Sequence, residues 1–540
     1  MIGKGQEKDN RCRRIVDSLD LIRPAVIPGK NVFGCPFMIK IRNQQQFDNI
    51  NQSITDAIRN GHNNIIVKIR KGVYHFHEYH VLRKDDNAEN VSIAIEGNNA
   101  VITSDTDYGL ITSEPWSELV EADDTINILD WSQKLCRIPY KNKRDVLSRG
   151  NFTKVQITEW FKSVIYDIQH IDDQGISFIA PDIQYDGQLP RKGYNVNYDY
   201  LYKGKYPRFR LYDETKSHNC EASRFFVLIN STYKNVTISG LTFKSNKTGG
   251  ALLSASDVKA DRITITNCTF DAIRGNVAHF GNTNNVIFEK NVVCNTDGNE
   301  LLFSRGCSNV YVTNNKFEKC GNSLKQTFCV NCGEAEYYIA YNTFVDFGYA
   351  AIGVGVWHGH IKNNLSRGII EYNEMYYSPS YLANKGKYTL MDSGAIYTWT
   401  QNDDVIIRYN YIHDYEGMGD NRGIFCDDGA NNLKIYGNVI FKTPNCYSID
   451  SRMAKDKREG LTNNANNFMA NNVVDNGVRF QGHADVQRHV VKGANLVVKS
   501  GSKDAIKDIF DNLEHIEEDM VITNAKSRII RKQIRKCTHR

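Results

Sequence analysis

From about residue 235 the chain repeats a nine-residue pattern of apolar and polar positions. It reads NVTISGLTF from Asn235, RITITNCTF from Arg262, NVIFEKNVV from Asn285, NVYVTNNKF from Asn309 and EYYIAYNTF from Glu336. It continues as RGIIEYNEM from Arg367, DVIIRYNYI from Asp404, NLKIYGNVI from Asn432 and NNFMANNVV from Asn466. Apolar residues alternate within each copy (Val236 and Ile238, Ile263 and Ile265, Val310 and Val312), which predicts strands with one buried face. The seventh position is Asn in seven of the nine copies: Asn291, Asn315, Asn342, Asn373, Asn410, Asn438 and Asn472. An Asn at a fixed turn position adopts the left-handed conformation and bonds its own backbone. Stacked rung on rung, such amides form a ladder. The spacing between copies is that of a solenoid coil.

A second apolar strand follows most copies: Ala251 to Ser254, Val277 to Gly281, Leu301 to Ser304, Ala351 to Val354, Ala395 to Thr398, Ile424 to Asp427 and Ser448 to Ser451. Each coil therefore supplies at least two strands, and the expected fold is all-β, a right-handed parallel β-helix. Upstream, Phe47, Ile50, Ile54 and Ile58 share one helical face, predicting a helix over Phe47 to Gly61 that caps the open end. The expected organisation is an N-terminal segment with capping helix and first coils (1–114), an inserted small β-rich subdomain (115–225), the β-helix body (226–490), and a helical cap with a basic tail (491–540).

Composition narrows the function classes. In 540 residues, Lys+Arg 67 against Asp+Glu 62 leaves +5, too weak a bias to argue for nucleic acid. No run of about 18 apolar residues is present, so no membrane insertion is expected. Met1 to Arg14 is polar and reads as no signal peptide. Thirteen cysteines without regular pairing fit reduced thiols better than a disulfide scaffold. His75, His77 and His80 alternate across a strand and do not converge on a metal. Cys329 and Cys332, with Cys307 and Cys320 upstream, read as interior solenoid residues rather than a zinc site.

The segment SGAIYTWTQNDDVIIRYNYIHD, followed by GIFCDDGANNLKIYGNVIF, resembles the right-handed parallel β-helix proteins of the pectate-lyase-like superfamily, closest to their glycoside-hydrolase-like branch. The resemblance covers roughly residues 40 to 490. It implies a carbohydrate-active enzyme, with a poly- or oligosaccharide as partner, and export from the cell; reduced cysteines imply the opposite compartment. Signatures of better-defined relatives are not reproduced. Asn295-Thr296-Asp297 reads as the NTD of polygalacturonases, but no DD follows on the next coil, and His358-Gly359-His360 is inverted relative to their GHG.

Candidate chemistry follows from stacking the coils. Aligning second strands by buried isoleucines places Ile396, Ile424 and Ile449 one above another. The next position outward then holds Tyr397, Phe425 and Asp450; two residues further are Trp399, Asp427 and Arg452, with Asp428 in the turn. This puts Asp427 and Asp450 one rung and two residues apart, about 8 Å between backbones. Glycoside hydrolysis needs two carboxylates, so Asp427, Asp450 and Asp392 are the catalytic candidates. Arg452, Trp399, Tyr397, His413, Glu416 and Asp428 are expected to bind substrate through stacking, ion pairing and loop contacts. No cofactor or metal is expected for a hydrolase. The alternatives are a polysaccharide lyase or uronate epimerase, for which Ca²⁺, Arg452 or Lys442 would neutralise a substrate carboxylate, and a non-catalytic glycan-binding β-helix.

Overall fold

The computed structural model describes residues 35–76, 80–82, 90–104, 127–130, 132–138, 154–158, 163–180, 208–212, 227–229, 233, 235–246, 252–254, 262–273, 276–296, 301–303, 306–321, 327–333, 335–356, 366–383, 393–400, 402–416, 421–427, 430, 432–450, 467–470, 472–474, 478–481, 490–492 and 496–497. The helical cap and basic tail expected after about Lys499 lie outside these residues.

Each coil holds three strands, and the nine-residue repeat spans two of them. Ile263–Thr266 and Thr269–Ile273, for example, are separate strands bent about a corner at Asn267 and Cys268. Stacking in parallel register produces three sheets. The first contains Asn64–Ile69, Ile263–Thr266, Asn402–Arg408 and Leu433–Tyr436. The second contains Val73–Phe76, Thr269–Ile273, Glu374–Tyr376 and Tyr411–His413. Two long strands, Ser92–Ser104 and Asn235–Asn246, run through the corner that joins these sheets. The third sheet has eleven strands, from His80–Leu82 to Val478–Gln481, and includes a rung at Phe328–Cys332 that the sequence pattern did not single out.

The predicted amide ladder is present and continuous. Asn342 Oδ1 accepts from the backbone N–H of Asn315 and from Asn315 Nδ2, both at 2.9 Å, while Asn342 Nδ2 donates to Val312 O and Asn373 Oδ1. The same bonds link Asn291 through Asn472, and Cys268 occupies the ladder's first place, donating its N–H to Asn291 Oδ1 at 2.9 Å. The left-handed residue, however, is the one before the ladder Asn: Asn267, Lys290, Asn314, Tyr341, Tyr372, Tyr409 or Gly437. The inward amides are engaged chiefly by neighbouring rungs, and the residue before each makes the bend. Alongside the ladder, interior rings stack coil upon coil, with Phe317 on Phe344 at 4.8 Å and Phe280 on Phe303 at 5.3 Å. Burial of each such ring is worth about 1.5–3 kcal/mol.

The first strand, Phe37–Ile41, pairs with Asn64–Ile69 before the capping element intervenes. That element is two helices, Gln44–Asp48 and Ile50–Arg59, which bury Phe47, Ile50, Ile54 and Ile58 as the spacing predicts. Gln44 bonds both the N–H and the carbonyl of His75, tying the helices to the first coil. Between Ser104 and Val227 an antiparallel six-stranded sheet interrupts the solenoid. Cys307, Cys320, Cys329 and Cys332 are buried in the solenoid interior.

Candidate functional site

Three neighbouring strands of the third sheet, Ser393–Thr400, Asn421–Asp427 and Asn445–Asp450, carry most of the expected site residues. Ile396 pairs with Ile424, Tyr397 with Phe425 and Trp399 with Asp427, as the isoleucine alignment predicts. On the next rung the register differs by two. Tyr447 pairs with Ile424, and Ile449 with Cys426. Cys426 is an interior residue, so the rung partner of Ile449 is a cysteine rather than an isoleucine. The residues that follow, Asp427 and Asp450, therefore occupy the same place on successive rungs, about 4.8 Å apart along the sheet, not diagonally at 8 Å.

The half-buried Asp427 carboxylate accepts a hydrogen bond from the Tyr397 hydroxyl. Tyr397 lies in an outward aromatic cluster. Its ring is 4.9 Å edge-on from Phe425, 5.4 Å from Trp399 and 5.8 Å from Tyr349, with Phe328 5.3 Å from Trp399. Gly353, paired with Tyr397, makes room for this cluster: a Cβ there would stand 2.4 Å from the Phe328 ring. Tyr397 and Trp399 are 5% and 6% exposed, so their faces are occupied by protein. Arg422, which sequence reading passed over, is 1% exposed, with its guanidinium 3.9 Å above the Phe425 ring.

His413 and Glu416 do not join Asp427. His413 ends its strand in the second sheet, at the corner entering the third, whereas Asp427 closes the far end of Asn421–Asp427. A strand of that length spans about 20 Å. His413 instead anchors a polar cluster of its own. Its Nδ1 is 2.8 Å from Asp414 Oδ2 and its Nε2 is 3.5 Å from Glu374 Oε1, while Lys442 Nζ reaches Asp414 Oδ1 at 2.8 Å. The imidazole stacks on Tyr376 at 4.7 Å and on Tyr411 at 4.3 Å. Burial opposes the charged form, but hydrogen bonds and attraction to Asp414 and Glu374 outweigh it and hold the His413 pKa above its ordinary value. Asp414 is held low by His413 and Lys442 against its own burial. Glu374 was not legible, since it is one of many outward glutamates on the strands. Glu416 is half-buried in the following turn. Asp392, Asp428 and Arg452 lie outside the described residues, and Asp450 is placed by its backbone alone.

A third constellation lies on the first sheet. The buried Arg408 and Glu371 pair through Nε and Oε2 at 2.6 Å, the half-buried Tyr338 donates to Glu371 Oε1 at 2.8 Å, and Arg408 Nη1 donates to the half-buried Tyr436 hydroxyl at 3.1 Å. Among the described residues no cluster of His, Cys, Asp and Glu is arranged to hold a metal ion.

Comparison with known proteins matches the fold. Residues 213–365 match the family model described as right handed beta helix region. A solved structure named glycoside hydrolase is 10% identical with a TM-score of 0.50, over 87% of this chain and 98% of that one. A structure of XylC with xylose is 10% identical over 80% of this chain and 62% of that chain, with a TM-score of 0.27. The tailspike gp61 of Pseudomonas phage phi297 is 9% identical over 78% and 72%, with a TM-score of 0.23. No curated protein matches the chain. Strand order and register define a parallel β-helix, in agreement with the match of residues 213–365 to the model of a right handed beta helix region.

Proposed function

We propose that the protein is a carbohydrate-active enzyme that cleaves glycosidic bonds, a glycoside hydrolase acting with Asp427 and Asp450 on the outer face of the third sheet. One observation carries the reading: two aspartates occupy the same place on successive rungs, and one of them accepts a hydrogen bond from a tyrosine anchored in an aromatic cluster. Two like charges at rung spacing disfavour joint ionisation. The hydrogen bond from the Tyr397 hydroxyl favours the ionised form of Asp427, which is therefore assigned the role of nucleophile or base, and Asp450 that of acid. Glycoside hydrolysis needs one carboxyl as acid and another as nucleophile or base, and this pair is proposed to supply both. Asp392, Asp428 and Arg452 are proposed to complete the site, and Trp399 to wall it. A solved structure that shares the fold over 87% of this chain bears the name glycoside hydrolase, which favours the class of activity proposed.

The test is a glycan panel assayed for new reducing ends and for the ultraviolet absorbance of unsaturated products, with wild type, Asp427→Asn and Asp450→Asn. Reducing ends without absorbance, lost in both variants, support the proposal. Absorbing products would replace it with the lyase alternative. Cleavage that survives both substitutions would move the site, and binding without cleavage would make the protein a glycan-binding β-helix.

A further inference from the structure

Arg422 is a fully buried cation in the sheet that carries Asp427. A guanidinium is always charged, and shielding it from water is expensive; in the interior of the same strand an aliphatic residue would fill space at lower cost. The geometry connects this cation to the carboxylate. Its guanidinium lies 3.9 Å from the Phe425 ring centroid, close enough for a cation–π contact. Phe425 meets Tyr397 edge to face at 4.9 Å, with planes 76° apart. Tyr397 in turn donates its hydroxyl to Asp427. Gly394, the rung neighbour of Arg422, keeps this arrangement close: a Cβ there would stand 2.8 Å from the Phe425 Cβ. The column therefore runs from cation to ring, from ring to ring, and from hydroxyl to carboxylate, and each contact fixes the orientation of the next.

We propose that Arg422 is a positioning residue for Asp427, acting through Phe425 and Tyr397 without touching substrate. The inference rests on the reading of Asp427 as a reacting carboxylate. It requires planarity as well as charge, because an ammonium on a flexible stem cannot lie flat on a ring. Lysine should therefore fail where arginine succeeds.

The experiment compares Arg422→Lys, Tyr397→Phe and the double variant on whichever glycan the wild type cleaves. It also follows the Asp427 carboxyl carbon by NMR titration, assigned by its loss in Asp427→Asn. Arg422→Lys should lower kcat about 10-fold with KM within about 2-fold, and should raise the Asp427 titration midpoint toward that of Tyr397→Phe. The double variant should be no worse than Tyr397→Phe alone, because both substitutions break one column. Additive losses, a change confined to KM, or an unmoved Asp427 titration in Arg422→Lys would overturn the proposal. Near-ultraviolet circular dichroism of the aromatic cluster separates this outcome from misfolding, with Arg422→Met as a second variant that keeps side-chain bulk. If no glycan is cleaved, the reading of the site fails, while the Asp427 titration still decides whether Arg422 positions the carboxylate.

Discussion

Replacing one rung of the asparagine ladder tests whether interior amides, and not only aliphatic burial, hold the coils in register. Asn342→Ala removes four hydrogen bonds: two accepted from Asn315 through its N–H and Nδ2, and two donated to Val312 O and Asn373 Oδ1. The Asn315 N–H and one Nδ2 hydrogen are then buried without an acceptor. Each stranded donor costs about 1–3 kcal/mol, so a loss of about 4 kcal/mol is expected. Asn291→Ala is the internal control. Its carbonyl oxygen accepts only the Cys268 N–H from the rung before, because Cys268 has no amide to contribute. One donor is stranded instead of two, and the loss should be smaller by about 1–2 kcal/mol. The assay is urea unfolding of the full chain, compared at constant dependence on denaturant. Amide hydrogen exchange should place the damage, since solenoid coils couple mainly to their neighbours. Strands Cys307–Thr313 and Ala335–Ala340 should lose protection in Asn342→Ala while Ile263–Thr266 keeps it. If Asn342→Ala costs no more than Asn291→Ala, or less than about 1 kcal/mol, the ladder follows the register without enforcing it.

Three further outcomes are expected. The folded-state pKa of His413 lies above its unfolded value, so its interaction with Asp414 and Glu374 stabilises the fold fully below about pH 6.5 and is lost as pH rises through the folded value; the stability gap between wild type and His413→Phe should shrink between pH 6 and 9 in urea titrations, and a constant gap would refute the pairing. Glu371→Leu should cost about 3–5 kcal/mol by leaving Arg408 buried and uncompensated, whereas adding Arg408→Met should recover much of that loss in thermal melts. Gly353→Ala pushes a methyl group to 2.4 Å from the Phe328 ring and should cost about 1–3 kcal/mol, with altered near-ultraviolet dichroism from the cluster around Tyr397.

The solenoid was legible because its constraint repeats. An inward residue at every second place and an amide at every Asn corner recur until chance is excluded, and the ladder formed where the repeated Asn pointed. Corner geometry was less legible. Sequence shows which residue recurs at a bend but not which of two neighbours carries the positive φ, and the nine-residue unit hid a corner because its apolar alternation continues on both sides. The third sheet shows the limit more sharply. Its interior column mixes Phe303, Cys332, Val354, Thr398 and Cys426, so no single residue type marks the register.

An alignment guided by isoleucine alone slips by two residues at Cys426, and the slip matters more for chemistry than for fold. The same two residues separate a diagonal placement of Asp427 and Asp450 on their rungs from a stacked one. Outward side chains obey no periodicity. Glu374 gave no signal for that reason, and His413, eight residues before Asn421 in the chain, proved to stand at the opposite edge of the sheet from Asp427. On a solenoid, closeness in sequence is a poor guide to a shared site, because one strand carries the chain across a whole face. Residues a full coil apart, such as Tyr397 and Asp427, are the ones that meet. The chemistry of this protein is therefore written along the stack of rungs, and it is the register of those rungs that any functional assignment must establish first.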